Sequence, residues 1–395
     1  MKGMNSPASG SLLFSLLLVF LVWPEAFPQG GTRKLDVNGY VKYMQSVNVV
    51  KGMDSLWIDN LFHNRVNFNW YPHENLKANL ELRNRVFYGD LVRLIPGYIN
   101  LVDVYNDYFD LSVNIADQSN MAIHSMIDRL YVQWTKDKFE LTAGRQRINW
   151  GINTAWNPND IFNAYSFFDF DYEERPGTDG IRLQYYTGYA ASVELAAKIA
   201  SRFEDWVAGG LWKFNRFNYD FQVLGGVMEG DFVAGGGWSG NITDAGFKGE
   251  FSYFQPIVDK RERKEVFTGS AAFDYMFSNS LYLNASYLFN SGAESGQNLD
   301  LFDFAGERLS AKNLLPFRHS FFLQGQYPFS PLVNAGLAAM YFPGKTGGIF
   351  ANPNLSLSLA ENWDLDLIGQ IYYARMNHDW LSAAKYFYWR VKWSF

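Results

Sequence analysis

The chain of 395 residues contains no cysteine, which excludes a disulfide-stapled scaffold, thiol catalysis and any zinc site built on thiolates. Long apolar runs are nearly absent. The one from Leu12 to Trp23 is about a dozen residues, short of the roughly 18 that a membrane-crossing helix needs, and no longer run follows it. A basic excess is also missing: the formal net charge is -6, which gives no support for nucleic-acid binding. Histidine is sparse, with five in the chain. What is abundant is aromatic side chains, at 18%, far too many for a disordered chain.

Lys2 precedes the Leu12 to Trp23 run, and Pro24, Glu25 and Ala26 follow it. A charged residue, a short apolar core and small residues are the order of a secretory signal peptide. Residues 1–30 are expected to be such a signal, cleaved between Ala26 and Gly31, with 31–395 as the exported chain. The excised segment carries Lys2 and Glu25, so the mature charge stays at -6.

The C-terminal ten residues alternate strictly. Phe387, Trp389, Val391, Trp393 and Phe395 fall on one face; Tyr386, Tyr388, Arg390, Lys392 and Ser394 fall on the other. Period two means a strand. An ordinary edge strand with two Trp and two Phe would invite aggregation. The segment resembles the last strand of Gram-negative outer-membrane barrels, and that resemblance implies that Trp393 and Phe395 form the signal read by the barrel-assembly machinery.

The same alternation recurs along the chain in eighteen segments, from 35–48 to 386–395, joined by connections that switch between short and long. The short ones include 72–75, 136–138, 243–244 and 361–362; the long ones include 88–126, 148–179, 290–318 and 375–385. This pattern predicts an all-β, antiparallel transmembrane barrel of about 18 strands, with 16 as the alternative count, both termini periplasmic and the long loops extracellular. In 76–87, Leu76, Ala78, Leu80, Leu82 and Val86 point to lipid, and Lys77, Asn79, Glu81, Arg83 and Arg85 point inward. Aromatics such as Trp134, Tyr185 and Tyr341 at strand ends predict interfacial girdles. Barrels of 16 to 18 strands enclose water rather than a packed core.

Basic residues predominate on the inward faces of the second to sixth strands and the last one, which predicts a lumen favouring anions. The competing reading is that they pair with Glu81, Glu194, Glu250, Asp364 and Asp366 and stiffen the wall. The stretch Gly144, Arg145, Gln146, Arg147, Ile148, Asn149, Trp150, Gly151, continuing to Gly177, resembles the alginate-export and related porin-like families of Gram-negative outer membranes. That resemblance implies conduit roles for Arg145 and Arg147, tight backbone positions at Gly144 and Gly151, and an acidic or anionic solute, an acidic polysaccharide among them.

The 148–179 loop carries Asp160, Asp169, Asp171, Glu173, Glu174 and Asp179 in a setting rich in Phe and Tyr. It is too apolar for a solvated loop and is expected to fold into the lumen. Facing Arg65, Arg83, Arg85, Arg129, Arg145 and Arg147, it would form a constriction with Asp169, Asp171, Glu173 and Glu174. Those carboxylates lack the EF-hand pattern of a calcium loop; salt bridges to the arginines are the stronger expectation, and no metal or cofactor is expected.

No catalytic constellation assembles from His63, His73, His124, His319 and His378. His319 and Ser320 are adjacent and so face opposite sides of a strand. The first strand starts near Leu35, leaving no room for a plug domain. The sequence thus predicts a non-enzymatic outer-membrane porin-like channel in contact with outer-membrane lipid and the assembly machinery, without a nucleic-acid partner. The alternative is a non-conducting scaffold or accessory subunit of an envelope complex. Oligomeric state is left open.

Overall fold

The computed structural model describes residues 34–50, 56–104, 107–165, 167–257, 263–293, 309–344, 347–376 and 379–395. The expected signal peptide and His378 lie outside them, as does 294–308 of the long 290–318 connection. The first strands are β1 (Leu35–Val50), β2 (Trp57–His73) and β3 (Leu76–Gly89), followed by the short helices α1 (Asp90–Leu94) and α2 (Tyr98–Val102). Next come β4 (Ser112–Gln118), β5 (Met121–Lys136), β6 (Phe139–Gln146), β7 (Thr178–Gly188), β8 (Ala191–Lys198) and β9 (Val207–Arg216). The chain continues through β10 (Tyr219–Met228), β11 (Asp231–Ile242), β12 (Ala245–Pro256), β13 (Val266–Met276) and β14 (Tyr282–Asn290). It ends with β15 (His319–Ser330), β16 (Val333–Phe342), β17 (Gly348–Ala360), β18 (Trp363–Met376) and β19 (Asp379–Ser394).

All pairings are antiparallel, and the ring closes where β1 meets β19, from Tyr40 opposite Ser394 to Val50 opposite Ala384. β3 pairs directly with β5, while β4 pairs with β5 alone. The barrel wall is therefore eighteen-stranded, and β4 is an extra strand at the end where the long loops lie. Closure leaves no open edge, so the wall's backbone groups find partners within the sheet.

Alternation sorts the side chains as expected. Leu130, Val132, Leu183, Leu195, Trp212 and Val223 are 38 to 55% exposed on the outer face, a density of bare apolar surface that suits hydrocarbon. Asn79, Arg83 and Arg85 are buried on the inner face. Aspects of the turns follow local chemistry: Phe217 and Asn218, linking β9 and β10, both have positive φ (56° and 60°), the conformation of a two-residue hairpin matched to strand twist.

Two connections differ from expectation. The 88–126 stretch is not a plain loop: it holds α1, α2, β4 and the first six residues of β5. The cause is a bulge. Arg129 sits opposite Glu81 and Ile127 opposite Leu82, so Asp128 is an extra residue that resets the alternation and hides the upper part of the strand. The 375–385 connection is likewise short, since β18 and β19 continue to Met376 and Asp379 across a register shift near Tyr372.

The chain's end joins the seam. The Gly39 amide donates to the Phe395 carbonyl (3.0 Å) and the Phe395 amide to the Gly39 carbonyl (2.9 Å), while the Phe395 ring lies 5.3 Å from that of Trp393. Deleting Phe395 should therefore reduce the yield of heat-modifiable barrel far more than Lys392→Ala does; equal yields would show that these seam contacts are dispensable.

Candidate functional site

Residues 147–177 between β6 and β7 form a collar inside the barrel. Thirty-one residues reach roughly 100 Å when extended, enough to travel round the inside of eighteen strands spaced about 4.8 Å apart. The local sequence forces the entry. At Gly144 φ is +121°, and a Cβ there would stand 2.9 Å from the Cα of Tyr131. At Gly151 a Cβ would overlap the Asn157 side chain, its Cβ at 2.6 Å.

The first half of the collar crosses β8 to β13. Ile148 and Trp150 are fully buried with Leu211, Leu224, Val233 and Phe254, and the Trp150 ring meets Phe162 edge-on at 4.9 Å. Trp150 Nε1 donates to Glu194 Oε1 (2.6 Å), and Gln222 Nε2 donates to the Trp150 carbonyl (2.7 Å). Glu250 accepts three backbone amides: Ile152 (3.1 Å), Asn153 (2.9 Å) and Asn159 (3.1 Å). Here the Glu250 carboxylate holds backbone donors, and Glu194 an indole N–H, that would otherwise be buried without partners. Farther round, Trp156, Phe167 and Phe168 pack on Phe322, Phe350 and Tyr372 from β15, β17 and β18.

The second half reverses the polarity, and collar carboxylates meet wall cations. Asp171 contacts Lys42 Nζ (2.8 Å), His63 Nδ1 (3.1 Å) and Arg390 Nη1 (3.4 Å). Burial alone would raise its pKa, but Lys42, His63 and Arg390 outweigh burial and hold the carboxyl well below its usual range. Glu173 pairs with Lys392 (3.0 Å) and Arg390 (3.4 Å). Glu174 lies 3.7 Å from Arg65 and accepts from the Tyr40 hydroxyl (3.3 Å). Arg65 also binds Glu81 and Asp128, and the Tyr172 hydroxyl donates to Asp128.

Each of the arginines expected at a constriction has a definite place. Arg65 and Arg83 lie under the collar, Arg83 with its guanidinium 3.7 Å from the centre of the Tyr172 ring. Arg129 donates to the carbonyls of Glu174 (2.9 Å) and Arg175 (2.5 Å). Arg85 donates to the Val102 carbonyl and touches His124, each at 3.0 Å, anchoring α2 instead of the collar. Arg145 binds Asp179 through two 2.8 Å contacts and donates to the Phe109 carbonyl (2.5 Å), locked where the collar leaves the wall. Arg147 faces Tyr165 at 5.9 Å. The partners that sequence reasoning missed are Lys42, His63 and Asp128, the last hidden by its bulge; Arg390, expected on the inward face of the last strand, joins them.

Above the collar lies a vestibule of about 960 Å³, lined in part by Asp169, Glu173, Arg175 and Lys198 and by none of the six arginines. Asp169 and Glu173 are exposed while Asp171 turns into the wall, so the three carboxylates do not converge as a metal site would require.

No family model and no curated protein matches the chain. Solved structures do. Acinetobacter baumannii OccAB4 has a TM-score of 0.58 at 11% identity, over 92% of this chain and 98% of that one. Pseudomonas aeruginosa OccK11 (OpdR) has 0.57 at 10%, over 95% and 100%. The outer membrane protein opdK of Pseudomonas aeruginosa has 0.55 at 11%, over 91% and 98%. The chain has the fold of the Occ proteins. At these identities the likeness concerns the fold, and it lends nothing to the alginate-export resemblance of 144–177.

Asp160 is fully buried in the collar, and burial lifts its pKa to about 6 against the pull of Arg147. A carboxyl raised in the folded state stabilises fully below its unfolded value, and that contribution is lost as pH rises through the folded one. Amide protection factors across 150–163, corrected for the intrinsic pH dependence of exchange, should therefore be higher at pH 5 than at pH 8, and Asp160→Asn should narrow the difference. An unchanged difference would show that Asp160 does not govern the collar.

Proposed function

We propose that the protein is an outer-membrane channel for small hydrophilic solutes, delivered by its signal peptide, surrounded by outer-membrane lipid and inserted by the barrel-assembly machinery. The long-loop end and the collar vestibule face the exterior, and both termini face the periplasm. The observation that carries this reading is a closed eighteen-stranded wall whose inner collar runs along the wall and leaves a cavity of about 960 Å³. Such a wall encloses water. The solved Occ structures share its fold, and opdK is an outer membrane protein.

The finer reading, a preference for anions, meets an offset within the chain itself. Lys42, Arg65, Arg390 and Lys392 are matched by Asp171, Glu173 and Glu174, and farther down Arg182 pairs with Glu140 and Lys248 with Asp274. We therefore read the anion preference as latent, weak in the intact pore and strengthened when the collar loses its charge. Among the described residues no feature favours the scaffold alternative.

In planar bilayers the purified protein should conduct. Asp171→Asn, Glu173→Gln and Glu174→Gln combined should move the reversal potential toward anions in dilute salt. The shift should fade near 1 M, where screening acts over roughly 3 Å. A reproducible lack of conductance would favour the scaffold, and an unmoved reversal potential in a conducting pore would remove the latent preference.

A further inference from the structure

We infer that the vestibule has a second, lateral mouth that takes single-chain amphiphiles from the outer leaflet of the membrane. Conduction along the barrel axis, all that the channel reading needs, does not call for it. The wall is uneven. β1, β2, β5 and β19 run 16 to 17 residues, whereas β6 and β8 have 8 each; a tilted membrane-spanning strand needs about 9–11. β5 and β6 share a short turn, yet β6 follows β5 only from Lys136 to Leu130 while β5 continues to Met121. At about 3.3 Å per residue and a tilt near 40°, eight residues rise roughly 20 Å, below the apolar band of about 25 Å that surrounds such barrels.

The vestibule stands on this low rim. Thr178, Lys198, Val207 and Met228, at the upper ends of β7, β8, β9 and β10, all line it. On the outside, apolar surface reaches the same level and passes it: Ile181 and Leu195 are exposed below the rim, and Ile199 and Trp206, just beyond β8 and just before β9, are exposed at it. Hydrocarbon and vestibule therefore meet across the ends of these short strands.

The rim over β6 and β7 is closed by 107–109. Asp107 points inward, with Lys198 Nζ at 2.8 Å and the Asp179 amide at 3.0 Å, and accepts from the Thr178 hydroxyl. Phe109 seats its backbone on the ion pair of Arg145 and Asp179: its amide donates to Asp179 Oδ2 (2.8 Å), and its carbonyl accepts from Arg145 Nη2 (2.5 Å). The rings of Tyr108 and Phe109 meet edge-on at 4.9 Å, and both are exposed. The strap is thus fastened by polar contacts at its backbone and at Asp107 while its rings face outward, so lifting it disrupts no packed core.

The space behind the strap suits a chain with a polar head. Nine of the 28 lining residues are Phe or Tyr, while Asp107, Lys198 and Glu229 place polar groups at the rim. Its volume of about 960 Å³ lies at the upper end of the roughly 300–1,000 Å³ of small-molecule sites. That accommodates one acyl chain and not the pair of a phospholipid.

The test uses the full-length protein in phosphatidylcholine vesicles, with a photoreactive diazirine on the acyl chain of a lysophosphatidylcholine and, in parallel, of a two-chain phosphatidylcholine. Peptide mapping after irradiation should find lysolipid adducts on 167–172 and Met228, and adducts of the two-chain lipid only on outer-face residues such as Ile181 and Leu195. In Asp107→Cys combined with Lys198→Cys, a short disulfide-containing cross-linker fastens the strap, since the chain has no cysteine of its own. Vestibule labelling should then fall severalfold while outer-face labelling stays, and reduction should restore it in the same molecules, which a folding defect would not allow. Vestibule labelling that persists in the fastened barrel would show entry along the axis and overturn the lateral mouth. Labelling confined to the outer face, or equal vestibule labelling by the two-chain lipid, would overturn it too. No readout here needs conduction, so a non-conducting barrel would end the channel reading and leave this one standing on its own result.

Discussion

Lys42 is buried on the first strand, with Asp171 of the collar at 2.8 Å from its ammonium nitrogen. Neither charge could be left alone there, because an uncompensated buried ion costs several kcal/mol, about 3–5 when its partner is removed. The pair thus binds the collar to the seam of the barrel, close to where β1 meets β19. His63, Arg390, Glu173 and Lys392 extend the same contact over both sides of that seam. A wall that presents cations to its own interior must have counter-charges, and the collar brings them.

The opposite side of the barrel solves the converse problem. A strand-free segment crossing a packed surface exposes amides that need acceptors, and Glu250 takes three of them while Glu194 takes the Trp150 indole. One segment is thus held by wall carboxylates at its beginning and by wall cations at its end, with Phe167 and Phe168 packed on apolar wall residues between them. The basic residues Lys42, Arg65, Arg129 and Arg390 are thus occupied in fixing the collar.

Much of this was legible from period-two patterning, because lipid outside and water inside impose opposite chemistry on alternate residues. The inward placement of Lys77, Arg83 and Glu81, and the folding of an acidic, aromatic loop toward basic residues, follow from that rule. What escaped it has specific causes. Asp128 is an extra residue in a bulge and breaks the alternation that reveals strands. Arg145 reads as a lumen arginine from its motif, yet Asp179 and the Phe109 carbonyl hold it in the wall. His63 reads as an isolated histidine until the fold sets it against Asp171, 108 positions away. The path of the collar depends on contacts with strands far along the chain, which no local pattern encodes.

On the channel reading, the collar, and not the wall, sets the width of the passage. Replacing 152–173 with a short Gly-Ser linker leaves every wall strand in place, and heat-modifiability reports whether the barrel still forms. A folded barrel is expected, with a single-channel conductance several times that of the intact protein. A folded, excised barrel with unchanged conductance would contradict it.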